Sequence, residues 1–116
     1  MHDNLIRDKS LAFAVRIVRL YQFLTHQKKE YILCKQLLRS GTSIGANVRE
    51  TLDGISRADF LNKMYIALKE SSESMYWLEL LYETDYLTRF QYQSIYKDCL
   101  ELRNILASIT KTTKDN

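Results

Sequence analysis

Four carboxylates stand where a helical protein could use them for chemistry: Glu50, Asp59, Glu70 and Glu73. Carboxylates on facing helices can hold paired metal ions, but such sites also draw on a Glu-x-x-His spacing on two of the helices. The histidines, His2 and His26, fall near the two ends of the first helical segment and in no such spacing. Lys63 and Lys69 lie close enough to Glu70 and Glu73 to serve as counter-ions, and Lys63 can also pair with Asp59 four residues before it. The acids therefore read as ion-pair partners, and no metal or cofactor is expected. Nucleophilic catalysis has no better footing. Cys34 and Cys99 fall on apolar stripes, where a thiol stays protonated and inert. The serines have no evident histidine base. The run from Gly41 to Gly45 sits inside a helical pattern, so its amides are committed to the helix and cannot cradle a phosphate. Neither an enzyme nor a small-molecule substrate is expected.

The elements that position these groups are long helices. The chain of 116 residues has no proline and three glycines, 46% hydrophobic and 27% charged residues. That suits one folded domain over 1–116 with few turns and a continuous core. Apolar residues recur every three or four positions over roughly 4–26, 30–53, 57–84 and 88–112. In the first segment Leu11, Ala14, Val15, Val18 and Tyr21 form the stripe, widened by Phe13, Ile17, Leu20 and Leu24. Gly54 is placed to end the second helix, Ser56 to cap the third, and Thr88 with Gln91 to form a capping box on the fourth. Short connections make sequential helices antiparallel neighbours. The expected fold is all-α, an antiparallel up-down-up-down four-helix bundle. No apolar run is long enough to span a bilayer and none resembles a secretion signal, so a cytoplasmic location without membrane contact is expected.

The middle of the second helix is unusual. Gly41 and Gly45 lie one above the other on its core side, at up to about 1 kcal/mol each against alanine, so another helix must approach closely there. Beside them run Ser40, Ser43, Asn47 and Glu50, and the third helix carries Asp59, Lys63, Glu70, Glu73 and Trp77. A polar and aromatic edge of this kind suits a covered contact, and we expect Asn47, Glu50, Asp59, Lys63, Glu70, Glu73 and Trp77 to form an oligomer seam. Charge is uneven: residues 58–87 hold Lys63 and Lys69 against six acids, while the rest of the chain is basic. Lys28, Lys35, Arg39 and Arg49 fall within an arc of about 80° on the second helix. Such a strip could contact nucleic acid, and Tyr31 could stack on a single strand.

The run Ser43-Ile44-Gly45-Ala46-Asn47-Val48-Arg49-Glu50 is followed by Ser56, Asp59-Phe60, Lys63, Lys69-Glu70, Glu73 and Tyr76-Trp77-Leu78. This order resembles the four-helix bundle proteins also called 23S rRNA intervening-sequence proteins, across essentially the whole chain. Arg49 and Thr51 stand where many members have smaller residues. The resemblance implies a small bacterial cytoplasmic protein without known enzymatic activity that assembles as a homopentamer. It also implies kinship with basic pentameric accessory proteins of diversity-generating retroelements, which bind nucleic acid and a reverse transcriptase. The function expected is a homo-oligomeric helical scaffold that binds RNA or a nucleoprotein through the basic strip. The alternative is a protein–protein interaction module with no nucleic-acid role.

Overall fold

Where apolar residues recur at helical spacing, the chain is helical. The computed structural model describes residues 2–115, with side chains from Leu5 onward, as α1 (His2–His26), α2 (Leu33–Glu50), α3 (Arg57–Glu83) and α4 (Arg89–Asp115). Consecutive helices pack side by side, and α1 closes the circuit against α4 with the loosest of the four contacts. The Cα atoms of the diagonal pairs, α1 with α3 and α2 with α4, stay more than 8 Å apart. The result is an all-α up-down-up-down four-helix bundle, a rod of 45 × 21 × 20 Å.

The helix ends follow local chemistry. Ser56 accepts a hydrogen bond from the Asp59 amide at 3.1 Å and starts α3. Thr88 and Gln91 exchange bonds reciprocally, at 2.9 and 3.1 Å, ahead of α4. The second helix is shorter than its apolar pattern suggests, spanning Leu33–Glu50 and not 30–53. At its start, Lys29 takes a left-handed turn (φ 56°), and at its end Thr51 and Leu52 tighten onto the Val48 and Arg49 carbonyls before Gly54 turns with φ 70°. The fourth helix runs past 112 to Asp115, where the Arg57 guanidinium donates to the Thr113 carbonyl and ties down the last turn.

The core also corrects the expectation for α1. Ile6, Phe13, Ile17 and Leu24 face inward, whereas Leu11, Val15 and Val18 are 53%, 47% and 39% exposed. Successive residues turn by about 100° around a helix. The two sets therefore occupy separate arcs, and a square bundle covers only the arc pointing at its centre. Arg16 with Asp98 (2.6 Å) and Lys9 with Glu101 (2.9 Å) bridge α1 to α4.

Candidate functional site

α2 divides its two flanks between two neighbours. On the glycine side lies α1: a Cβ on Gly41 would sit 2.8 Å from Ile17 Cγ1, and one on Gly45 would sit 3.4 Å from the Ser10 carbonyl oxygen. On the other side lies α3. There Ser40 and Ser74 hydroxyls bond at 2.8 Å in the interior. Arg39 pairs with Glu70 at 2.9 Å and with Glu73, and the Trp77 indole N–H donates to the Glu73 carboxylate at 3.0 Å. Glu70 is only 8% exposed. The Trp77 hydrogen bond, helped by Arg39 and opposed by partial burial, holds the Glu73 carboxyl below its ordinary range. The same Glu73 contact, more than the charge of Glu70, raises the Arg39 guanidinium above its ordinary value.

Of the residues expected to form an oligomer seam, Asn47, Glu50, Lys63, Glu70, Glu73 and Trp77 meet partners inside one chain. Lys63 reaches Glu50 across the α2–α3 boundary at 3.3 Å, not Asp59 or Glu70. Asn47 turns its amide back to the Ser43 carbonyl of its own helix at 2.8 Å. Asp59 is exposed at the start of α3. The sequence pattern shows which helix edges carry the charges, but a neighbouring helix of the same chain can supply the counter-charges as well as a second copy can. Of the charged groups in this seam, Asp59 has no ion pair among the described residues.

Of the four cations expected to contact nucleic acid, Arg39 is already engaged with two carboxylates. Its Cβ direction lies within the basic arc, but its long side chain swings sideways to α3. Lys28, Lys35 and Arg49 are exposed and form no ion pair among the described residues. Lys28 and Lys35 flank the α1–α2 turn together with exposed Lys29 and with Tyr31, 55% exposed. Arg49 stands at the far end of α2, beside a groove lined by Ala14, Thr42 and Ala46.

The family model of the 23S rRNA-intervening sequence protein matches residues 2–108. The chain belongs to the 23S rRNA-intervening sequence protein family. A crystal structure of an S23 ribosomal protein family member of unknown function from Bacteroides thetaiotaomicron VPI-5482 is similar along its length. It shares 59% identity over 96% of this chain and 99% of that chain, with a TM-score of 0.93. No curated protein matches the chain.

Reactive groups do not gather among the described residues. Among the described residues no three His, Cys, Asp or Glu side chains converge as metal ligands; the side chain of His2 lies outside them. No described helix is long and apolar enough to cross a membrane. Cys34 and Cys99 are buried free thiols. Burial pushes Cys34 up to about 11, with the adjoining Glu30 adding to it, and pushes Cys99 up to about 12. One buried acid escaped the sequence reading. Glu30, 6% exposed, accepts from the amides of Ile32, Leu33 and Cys34 at 3.1, 2.8 and 2.8 Å. Burial tends to raise its carboxyl, but the three amides outweigh burial and hold it below its ordinary value. It caps α2 in place of the missing side-chain bond from Ile32. The signal was an acid just ahead of an apolar stripe, where the helix N-terminus is positive.

Proposed function

We propose that this bacterial, cytoplasmic protein is a non-catalytic homo-oligomeric scaffold, pentameric as its family resemblance implies, that docks RNA or a nucleoprotein at the α1–α2 turn. The observation that carries the reading is the group of unpaired cations there. Lys28, Lys29 and Lys35 flank exposed Tyr31, while the neighbouring Arg39 is spent on Glu70 and Glu73. Phosphates are drawn by such charges, and an unstacked base can lie on the tyrosine ring. Repetition around an oligomer multiplies a field that one chain of net charge +3 supplies weakly.

The test is fluorescence anisotropy with a labelled RNA hairpin bearing a single-stranded loop, titrated from about 50 to about 200 mM salt. Three cations on a single strand give a log–log slope of about −2 per engaged subunit. Lys28→Glu with Lys35→Glu should abolish binding and leave helicity unchanged. Binding that ignores salt, or none at the lowest salt, refutes the reading, and partners recovered after nuclease digestion would favour a protein-only module instead.

A further inference from the structure

α1 and α4 make the loosest contact in the bundle, and toward the end that carries the α1–α2 turn a cleft of about 350 Å³ opens between them. Its floor is apolar, formed by buried Ile95 and half-buried Leu20. One wall is Arg16, held by the Ser94 carbonyl at 3.2 Å, the Ser94 hydroxyl at 3.0 Å and Asp98 at 2.6 Å, so its charge is already matched. Two phenyl rings line the cleft, one from each helix. Phe23 of α1 packs against the core, and the Lys28 ammonium lies over its ring, 6.0 Å from the centroid. Phe90 of α4 is 82% exposed, more than any other large apolar side chain described. A lone apolar side chain in water needs no explanation. This one borders a cleft that it shares with Arg19, which is exposed and forms no ion pair among the described residues. Neither phenyl ring stacks on another aromatic ring among the described residues.

We infer that this cleft receives one unpaired base of the RNA drawn to the α1–α2 turn, an inference that rests on the docking reading above. Three observations favour a base as the occupant. An unpaired base is flat and aromatic on both faces, and proteins that bind single strands hold such bases on aromatic side chains. Phe23, fixed against the core, and Phe90, free in water, offer two such rings around one cleft. A base also has polar edges and a phosphate, and the cleft has a group for each. The Gln91 side-chain oxygen accepts from the Thr88 amide at 2.9 Å, which leaves its NH2 group to donate to a ring nitrogen or carbonyl. Arg19 supplies an unmatched positive charge for the phosphate. Finally, the cleft is continuous with the basic turn, because the Phe23 ring that lines it also carries Lys28. A strand whose phosphates run from Lys28 to Arg19 passes its base across the mouth of the cleft. Every base has an aromatic face and an acceptor on its edge, so the site tells unpaired from paired nucleotides and not one sequence from another. A base within a duplex must first leave its stack to enter.

The experiment is the anisotropy titration on the full chain with three labelled RNAs that carry the same number of phosphates. They are a hairpin with an unpaired loop, the same hairpin with abasic sites in the loop, and a fully paired duplex. Circular dichroism checks that helicity is retained, as expected for a side chain as exposed as Phe90. On the looped hairpin Phe90→Ala should weaken binding about tenfold or more, with the salt slope unchanged because no charge is lost, and Phe90→Trp should restore it. On the abasic hairpin and the duplex Phe90→Ala should change binding by less than about twofold, because no base is stacked there. Arg19→Ala should reduce the salt slope on the looped hairpin by about 0.7. If Phe90→Ala binds the looped hairpin as tightly as the wild type, or weakens all three RNAs alike, the cleft holds no base. Docking at the turn would then still stand, provided that Lys28→Glu with Lys35→Glu abolishes binding. A wild type that binds none of the three RNAs at the lowest salt would refute the docking reading and the base site together.

Discussion

Replacing Gly41 with alanine should destabilise the bundle, and the same change at Gly45, one turn along the same face, should not. Each substitution gains up to about 1 kcal/mol of helix propensity. At Gly41 the new methyl would lie 2.8 Å from Ile17 Cγ1 and 3.0 Å from Cγ2. Carbon pairs settle at about 3.5–4.0 Å, so something must move by more than half an ångström. Ile17 is fully buried, and a β-branched side chain in a helix has essentially one χ1 rotamer, so it cannot swing away. Overpacking of this kind costs about 1–3 kcal/mol, which leaves a net loss of up to about 2 kcal/mol. At Gly45 the nearest atoms, all of Ser10, are at 3.4–3.5 Å, ordinary contact distances, so the propensity gain survives. The variants should therefore differ by about 1–3 kcal/mol, or roughly 4–12 °C in Tm for a chain of this size. Urea unfolding followed by far-ultraviolet circular dichroism, at two protein concentrations to separate any contribution from association, measures it. Adding Ile17→Ala removes both crowding atoms, so Gly41→Ala should become favourable in that background. A Gly41→Ala variant as stable as Gly45→Ala, or no coupling to Ile17, would refute the close-approach account.

Further predictions concern Glu30, ahead of α2, and the carboxylates of α3. Glu30→Ala strips three amides of their acceptor and should cost about 2 kcal/mol in the same unfolding assay, with Glu30→Gln recovering part of it. Because the folded Glu30 carboxyl titrates below the ordinary glutamate value of 4.5, its contribution is complete above that pH and is lost as pH falls through the lower folded value. Wild type and Glu30→Gln should therefore converge in stability in acid. Arg39→Ala leaves the nearly buried Glu70 without its counter-ion and should cost about 1–3 kcal/mol, less than a fully buried pair because half of Arg39 is in water. The single tryptophan, Trp77, bonded to Glu73, reports the same event: its emission should change in acid with a midpoint below 4.5, and Arg39→Ala should move that midpoint up.

Periodicity and capping residues suffice to read four helices from the sequence, because Ser56, Thr88 and Gln91 act within a few residues of where they stand. The small-residue stripe was legible for a similar reason: glycine in a helix interior has a cost, and close approach by Ile17 and Ser10 accounts for it. What pattern cannot supply is the destination of a long side chain. Arg39 sits on the basic arc by its backbone position, yet its guanidinium lies on α3, and Lys63 likewise chooses Glu50 across the boundary over Asp59 on its own helix. Glu30 was missed because its work depends on a turn at Lys29 that folds the carboxylate back onto the helix start.

α1 is the most instructive case, because its apolar residues fill two arcs and a count of periodic positions merges them. Phe13 and Ile17 belong to the bundle centre, while Leu11, Val15 and Val18 do not. A monomeric bundle has one inward arc per helix to fill, so the second arc gains nothing from folding and exposes apolar surface to water. Packing within the chain therefore accounts for Phe13 and Ile17 and gives no reason for valine and leucine at the other positions.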